Sequence, residues 1–546
     1  MALLAAAALA GFAVLAIEIL GVHWLAPWFG TSNLVWSNQI GVVLLAMAIG
    51  GWSGGQLARK SPNPLRICSR LLLLAGFFIG TSLWLMPMVA QGLLPEGLTL
   101  DEAATLFLGG SLGTALLFFA PPVFLLSMLS PLLIEARSKL QSQSAGEAAG
   151  GIAAAGTLGS LVGVFGSSLI AIPTLGTRAT LAMTSAALIL GGILLLRTAK
   201  SAATVEQKKT VKGLVAVFLL LPTAGIFFQK DPADDANLPP RAKVLTIAET
   251  SLQRLRVVEF PEGERWLQMN EGLDSYQSKW FPDHRSWVGG YYDLFALAPF
   301  YSGCLANAPS LDPNAQSDPV KFWILGFGAG TALYPVSEAL QGVQWSAVGV
   351  EIDTQLVDLV QEWLPLPAEV EAKVDLVRGG DARACLQAAP NDLDFILLDS
   401  YTNQFEIPLH LATEEFFVEI YEHLRPGGVL AINLGTSEKS KSALGFSDAI
   451  QDGLCRVFAN QVRLHRVARS RNMVAFARKG IPFPASKEIV ATFPDLWPAT
   501  LASAVLPGQT TTGQPTNPVL FRLHDDCNPL ALAQAKLWLG GRNSDG

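Results

Sequence analysis

Glycines and carboxylates stand where the apolar runs of this chain end. Gly326, Gly328 and Gly330 follow the run Phe322–Leu325, and Glu351 and Asp353 close the next run, Ala347–Val350. Strand, glycine turn, helix, strand and acid is the order of a βαβ unit that holds a nucleoside. The glycines let the ligand approach the backbone, and the acid accepts hydrogen bonds from a ribose hydroxyl pair. A glycine turn alone also fits an ordinary tight βα connection; the acid about twenty residues on favours the ligand. Asp381 ends VDLVRGGD, and Asp399 ends DFILLD. Ligands of open α/β sheets sit beyond the carboxyl ends of the strands, so these groups are expected on one rim. Taken singly, each acid also fits as the cap of a helix or turn.

The elements that must position them follow from period and punctuation. The segment 303–480 reads as a Rossmann-like α/β domain of the class I methyltransferase type. In it, TEEFFVEIYEHL (413–424) is a helix, VLAINLG (429–435) a strand, and VRLHRVARSRNMVAFARK (462–479) a closing antiparallel pair. Upstream, ETSLQRLRVVEF (249–260) and RWLQMNEGLDSYQS (265–278) alternate with the period of a strand around the turn PEGE. That pattern predicts a β-hairpin subdomain over 245–302. GGYYDLFALAPF (289–300) starts a helix near the domain junction. Residues 231–244 are a polar, proline-rich linker, and 481–546 form a C-terminal extension that contains LHDDCNPL.

Residues 1–230 are of another class. Of the 546 residues, 50% are hydrophobic and 15% charged, with mean hydropathy +0.37. The apolar excess lies before Lys230, which points to a multi-pass helical membrane domain joined to a soluble half. Seven runs suit a bilayer, at about 2–22, 34–57, 70–93, 108–134, 148–172, 177–197 and 212–229. AIGGWSGG and GGIAAAGTLGSLVGVFGSS carry glycines at the spacing of close helix packing. Pro121 and Pro122 are expected to kink the fourth span. Glu18 is an acid within the first span, fit either for function or for a hydrogen bond to a neighbour. Arg59, Lys60, Arg66, Arg137, Lys139, Lys200, Lys208 and Lys209 fall in alternate loops, which places the N-terminus in the cytoplasm. Seven spans would then leave the soluble half outside it; one span fewer would bring it back. The net charge of −7 and the absence of a basic run give no sign of nucleic acid. The five cysteines are scattered, with no CxxC or Cys/His cluster, so no metal site is indicated.

In their order, GYYD, GFGAGTA, VEID, GDAR, LLDS, LATEEFF and RPGG resemble the spermidine synthase (polyamine aminopropyltransferase) family over roughly 245–480. With the apolar N-terminal region, the chain is similar to the membrane-fused "MFS/spermidine synthase" type. The resemblance implies transfer of an aminopropyl group from decarboxylated S-adenosylmethionine to an amine of the polyamine class, with methylthioadenosine as product. It implies Glu351 on the ribose hydroxyls, Asp381 near the adenine amino group, and Gln253 and Tyr292 near the sulfur. Asp399, with Tyr401, is the implied catalytic group, its carboxylate taking up the proton of the attacking amine. The lipid bilayer is the other expected partner, and a homodimer is compatible with the family.

The chain departs from the family twice. Ala329 stands where the glycine turn usually carries an acid for the donor's ammonium. Asn403 stands where a second acid usually grips the acceptor. Asp293, Asp525 and Asp526 are the candidates to replace one of them. Two other functions share this scaffold: an S-adenosylmethionine-dependent methyltransferase, and a non-catalytic nucleoside or polyamine sensor coupled to a transport-like bundle.

Overall fold

The computed structural model describes residues 1–29, 33–93, 100–141, 144–201, 238–269, 276–306, 319–401, 407–435, 446–467, 472–491, 493, 497–505, 510–512 and 522–525. The chain forms two compact units that divide at Leu238, with the segment Ile247–Leu255 falling to the first.

The first unit is helical. Five of its helices are long and apolar enough to cross a membrane: Ala2–Phe29, Val35–Lys60, Pro64–Leu93, Ala145–Leu175 and Thr177–Arg197. A sixth candidate is the bent pair Gly109–Phe118 and Ala120–Gln141, which turns by 42°. The bend falls just before Pro121 and Pro122, as their missing N–H groups require. The seventh expected run, 212–229, lies outside the described residues. The glycine patterns are packing faces. A Cβ on Gly54 would stand 2.6 Å from the carbonyl oxygen of Met128, and one on Gly159 or Gly163 would overlap the backbone of Ala8 or Phe12. The opposite side of that helix exposes Leu158, Leu161, Val162 and Phe165, as a lipid-facing surface would.

The expected β-hairpin is instead a four-stranded sheet, in the order β1 (Lys243–Glu249), β2 (Arg254–Glu259), β3 (Arg265–Met269) and β4 (Tyr276–Trp280). The stretch read as one strand over 249–260 breaks at a tight turn. There Thr250 Oγ1 accepts from the N–H groups of Leu252 at 3.1 Å and Gln253 at 3.0 Å. The local side-chain bond outcompetes the ladder. PEGE makes the turn between β2 and β3, with Gly263 at φ +83°.

The α/β domain is an eight-stranded sheet in the order β12-β10-β11-β9-β8-β5-β6-β7. Its parallel part comprises β5 (Val320–Leu325), β6 (Trp345–Glu351), β7 (Val374–Arg378), β8 (Leu393–Leu398) and β9 (Leu424–Gly435). β10 (Val462–Arg466) and β11 (Asn472–Arg478) close it antiparallel, as the sequence predicts, and β12 (Thr510–Thr512) adds an unforeseen edge strand. Alternate residues of β5 feed two cores. Phe322 and Ile324 join one with Phe395 and Leu397, and Trp323 and Leu325 join the other with Ile396 and Leu398. Both faces are therefore covered, which explains the near-continuous apolar runs. After β5 the chain runs to β6 and β7 on one side and then returns to β8 on the other. That reversal makes the carboxyl ends of β5 and β8 the switch point of the sheet, where ligands of open α/β sheets bind.

Candidate active site

The glycine turn is built by backbone geometry. Gly326, Gly328 and Gly330 have φ of +88°, +55° and +70°, a region that residues with a Cβ avoid. At Gly326 there is also no room: a Cβ would lie 2.6 Å from the carbonyl oxygen of Asp399. The turn and the end of β8 thus touch backbone to backbone. Asp399 N donates to Leu325 O at 2.9 Å, and this fixes the carboxylate beside the turn.

Asp399 is the centre of a hydrogen-bonded cluster. Tyr291 Oη donates to its Oδ2 at 3.0 Å, and Asn433 Nδ2 donates to its Oδ1 at 2.9 Å. Behind Asn433, Asn472 Nδ2 donates to its Oδ1 at 2.9 Å, and Tyr401 Oη donates to its carbonyl oxygen at 2.7 Å. Asp399 keeps some accessible surface yet sits deep in the protein. Burial pushes its carboxyl up to about 6, against the opposing pull of the Asn433 and Tyr291 donors. Burial, together with the charge of Asp399, pushes the Tyr291 hydroxyl well up, so it remains a donor. The ring of Tyr292 stacks on Tyr291 with centroids 4.1 Å apart, while its hydroxyl donates to Gln277 O on β4.

Glu351 ends β6 as expected and is buried. Its Oε2 accepts from Gly328 N at 2.9 Å and its Oε1 from Asp353 N at 3.1 Å, so the acid also holds the glycine turn closed. Burial raises its carboxyl, and these backbone donors oppose the rise. Asp353 caps the helix Thr354–Trp363. Asp381 caps the helix Ala382–Leu386 through Oδ1, and its Oδ2 lies 2.8 Å from His410 Nε2. Burial pushes its carboxyl up, but the Ala384 N–H and His410 outweigh this and hold it low. Capping, the plainer role for such acids, is thus real at Asp381 and Asp353; a carboxylate has lone pairs left for a ligand.

Ala329 is buried, and its N–H donates to Ser278 Oγ at 3.2 Å. Of the candidates for the missing acids, Asp525 is bound to Arg383, at 2.7 Å from Nη1 and 2.8 Å from Nη2, and so is no spare carboxylate. Asp293 Oδ1 accepts from Val288 N and Gly289 N, each at 3.0 Å, and burial raises its carboxyl. Asn403 and Asp526 lie outside the described residues. Gln253 falls in the first compact unit, at the turn between β1 and β2. Sequence reading missed Tyr291, Asn433 and Asn472. The available signal was a tyrosine doublet and a lone asparagine near the end of each of two apolar strands.

No protein-family model matches the chain. A probable polyamine aminopropyl transferase of Bifidobacterium longum (strain NCC 2705) is 33% identical over 193 residues, 35% of this chain and 38% of that protein. A polyamine aminopropyltransferase of Nitrosomonas europaea is 29% identical over 143 residues, 25% of this chain and 40% of that one. The chain thus spans about two-fifths of the length of the curated relatives it matches. Among solved structures, a probable spermidine synthase from Corynebacterium glutamicum ATCC 13032 is similar with TM-score 0.38 and 18% identity, covering 50% of this chain and 92% of that one.

Proposed function

We propose that this chain, a relative of the polyamine aminopropyltransferases, transfers an aminopropyl group from decarboxylated S-adenosylmethionine to an amine and releases methylthioadenosine. The observation that carries the reading is Asp399, a carboxylate pushed up to about 6 and set against a glycine turn at the switch point between β5 and β8. The amine arrives as an ammonium and attacks only after losing a proton. Asp399 accepts that proton as the new N–C bond forms and the C–S bond breaks, with the electron pair passing to sulfur. The leaving group departs as a neutral thioether and needs no acid. What remains is positioning. Glu351 takes the ribose hydroxyls, Asp381 the adenine amino group, the backbone at Gly326, Gly328 and Gly330 lets the nucleoside in, and Tyr292 faces the sulfur end. Tyr291 and Asn433 hold Asp399. Tyr401, bound to the carbonyl of Asn433, acts as a positioning residue rather than on the substrate.

The test is incubation of the purified full-length chain in detergent with decarboxylated S-adenosylmethionine and a panel of amines, read by mass spectrometry. Methylthioadenosine with a matching aminopropylated amine, both lost in Asp399→Asn, is expected. Neither product from a chain that still binds methylthioadenosine overturns the reading. Ala329 supports a second one, methyl transfer from S-adenosylmethionine, because an alanine there does not attract an ammonium tail. Tighter binding of S-adenosylmethionine than of its decarboxylated form would favour it. The helical unit anchors the enzyme in the bilayer.

A further inference from the structure

We propose that Asn472, acting through Asn433, sets the protonation behaviour of Asp399 by fixing which end of the Asn433 amide faces it; this rests on the reading of Asp399 as the base and deepens it. An asparagine side chain carries an acceptor oxygen and a donor NH₂ group of nearly the same shape, so turning it over changes little in packing and reverses its polarity. Asn433 is 2% exposed, so bulk water does not replace a lost partner. As it stands, its NH₂ group faces Asp399 Oδ1 at 2.9 Å and stabilises the carboxylate. Turned over, it would aim Oδ1 at Asp399 and stabilise the protonated acid. Asn472 Nδ2, donating to Asn433 Oδ1 at 2.9 Å, selects the first orientation.

The sheet supplies this contact. β9 and β11 run antiparallel with Asn433 opposite Val474 and Gly435 opposite Asn472. Asn433 and Asn472 are therefore diagonal neighbours on one face, within reach of each other's side chains. Tyr401, donating to Asn433 O at 2.7 Å, holds the backbone from which the amide projects.

The titratable groups that bear on Asp399 among the described residues are Tyr291 and Tyr292, and both are held neutral by burial. Lys321 on β5, Asp394 on β8 and Arg478 on β11 lie toward the opposite strand ends. Arg466 on β10 stands opposite Met473 and is exposed.

The experiment is an infrared titration of the full-length chain in detergent. It follows the C=O stretch of a buried carboxylic acid, assigned to Asp399 by its loss in Asp399→Asn. In Asn472→Asp the new carboxylate attracts the Asn433 NH₂ group and turns the carbonyl toward Asp399. The midpoint is expected to rise by about one pH unit or more. Asn472→Ala adds no charge and only releases the amide, so a smaller rise there separates amide orientation from charge repulsion. Asn472→Gln keeps a donor and is expected to titrate as the wild type does. A midpoint unmoved in Asn472→Ala overturns the inference, whether or not Asn472→Asp shifts, and a mere loss of thermal stability does not rescue it. The titration is read without any reaction. Aminopropyl transfer with an unmoved midpoint sinks this inference alone, and a shifted midpoint without transfer sinks the proposed function alone.

Discussion

At the scale of the residue, the site is decided by how much each carboxylate is already doing. Asp381 is held low by a backbone N–H and His410, while Asp399, pushed up to about 6, is the group able to take and release a proton near neutral pH. The sign of the pH dependence follows. Under the proposed reaction the base must be ionised to act, and its pKa is raised, so transfer is expected to be full above this value and to fall as pH drops through about 6. A rate that holds constant well below that pH would exclude Asp399 as the base. Asp399→Asn removes the base and is expected to slow transfer by about 10²–10⁴-fold while leaving methylthioadenosine binding in place. At Ala329, a restored carboxylate has a task only if the donor ends in an ammonium. Ala329→Asp is then expected to tighten decarboxylated S-adenosylmethionine by roughly tenfold or more, the strength of a charged hydrogen bond. Equal affinities by calorimetry would count against an aminopropyl donor.

At the scale of the element, the glycine turn and the end of β8 act as one piece. Gly326 combines φ +88° with a Cβ position 2.6 Å from Asp399 O, so Gly326→Ala meets both a strained backbone and a clash. The strain alone costs about 1–3 kcal/mol. The variant is expected to melt earlier and to shift the Asp399 titration, since the backbone that carries the carboxylate must move. A variant with wild-type melting and titration would show that the turn and the strand end are not coupled. By contrast, the Arg383–Asp525 pair is partly exposed, and Asp525→Ala is expected to change stability by no more than about 1 kcal/mol in a denaturant melt.

At the scale of the molecule, the question is which side of the membrane receives the α/β domain. With the bent pair counted as one span, the candidate spans among the described residues number six. An even count returns the chain to the side of the N-terminus, which the loop charges assign to the cytoplasm. If the run 212–229, the shortest of the seven and the one that contains Pro222, does not cross, the α/β domain lies on the cytoplasmic side. A fluorescent protein fused to the C-terminus should then be bright, and a fused periplasmic phosphatase inactive. The reverse pattern would restore seven spans and an outward-facing domain.

What the sequence by itself determined is the set of parts. The strands β5 to β9 were legible because both faces of a parallel sheet are buried, leaving apolar runs that stop at a glycine or an acid. The rim position of Glu351, Asp381 and Asp399 was legible for the same reason, since a strand end in sequence is a strand end in space. The helical unit was legible because a bilayer demands long apolar runs. Tertiary structure decided which polar groups meet. Tyr291, rather than Tyr292, reaches Asp399, because the two stacked rings point their hydroxyls at different partners, and sequence spacing carries no such direction. Asn433 and Asn472 lie on strands with the helix Phe446–Val457 and β10 between them in the chain, and only the register of β9 against β11 makes them neighbours. Asp525 was a free acid on paper and became the partner of Arg383 because the fold brings residues 142 positions apart to 2.7 Å. Composition and period report on burial, which is local. Hydrogen-bond partners across a sheet depend on register, which is set by the whole fold.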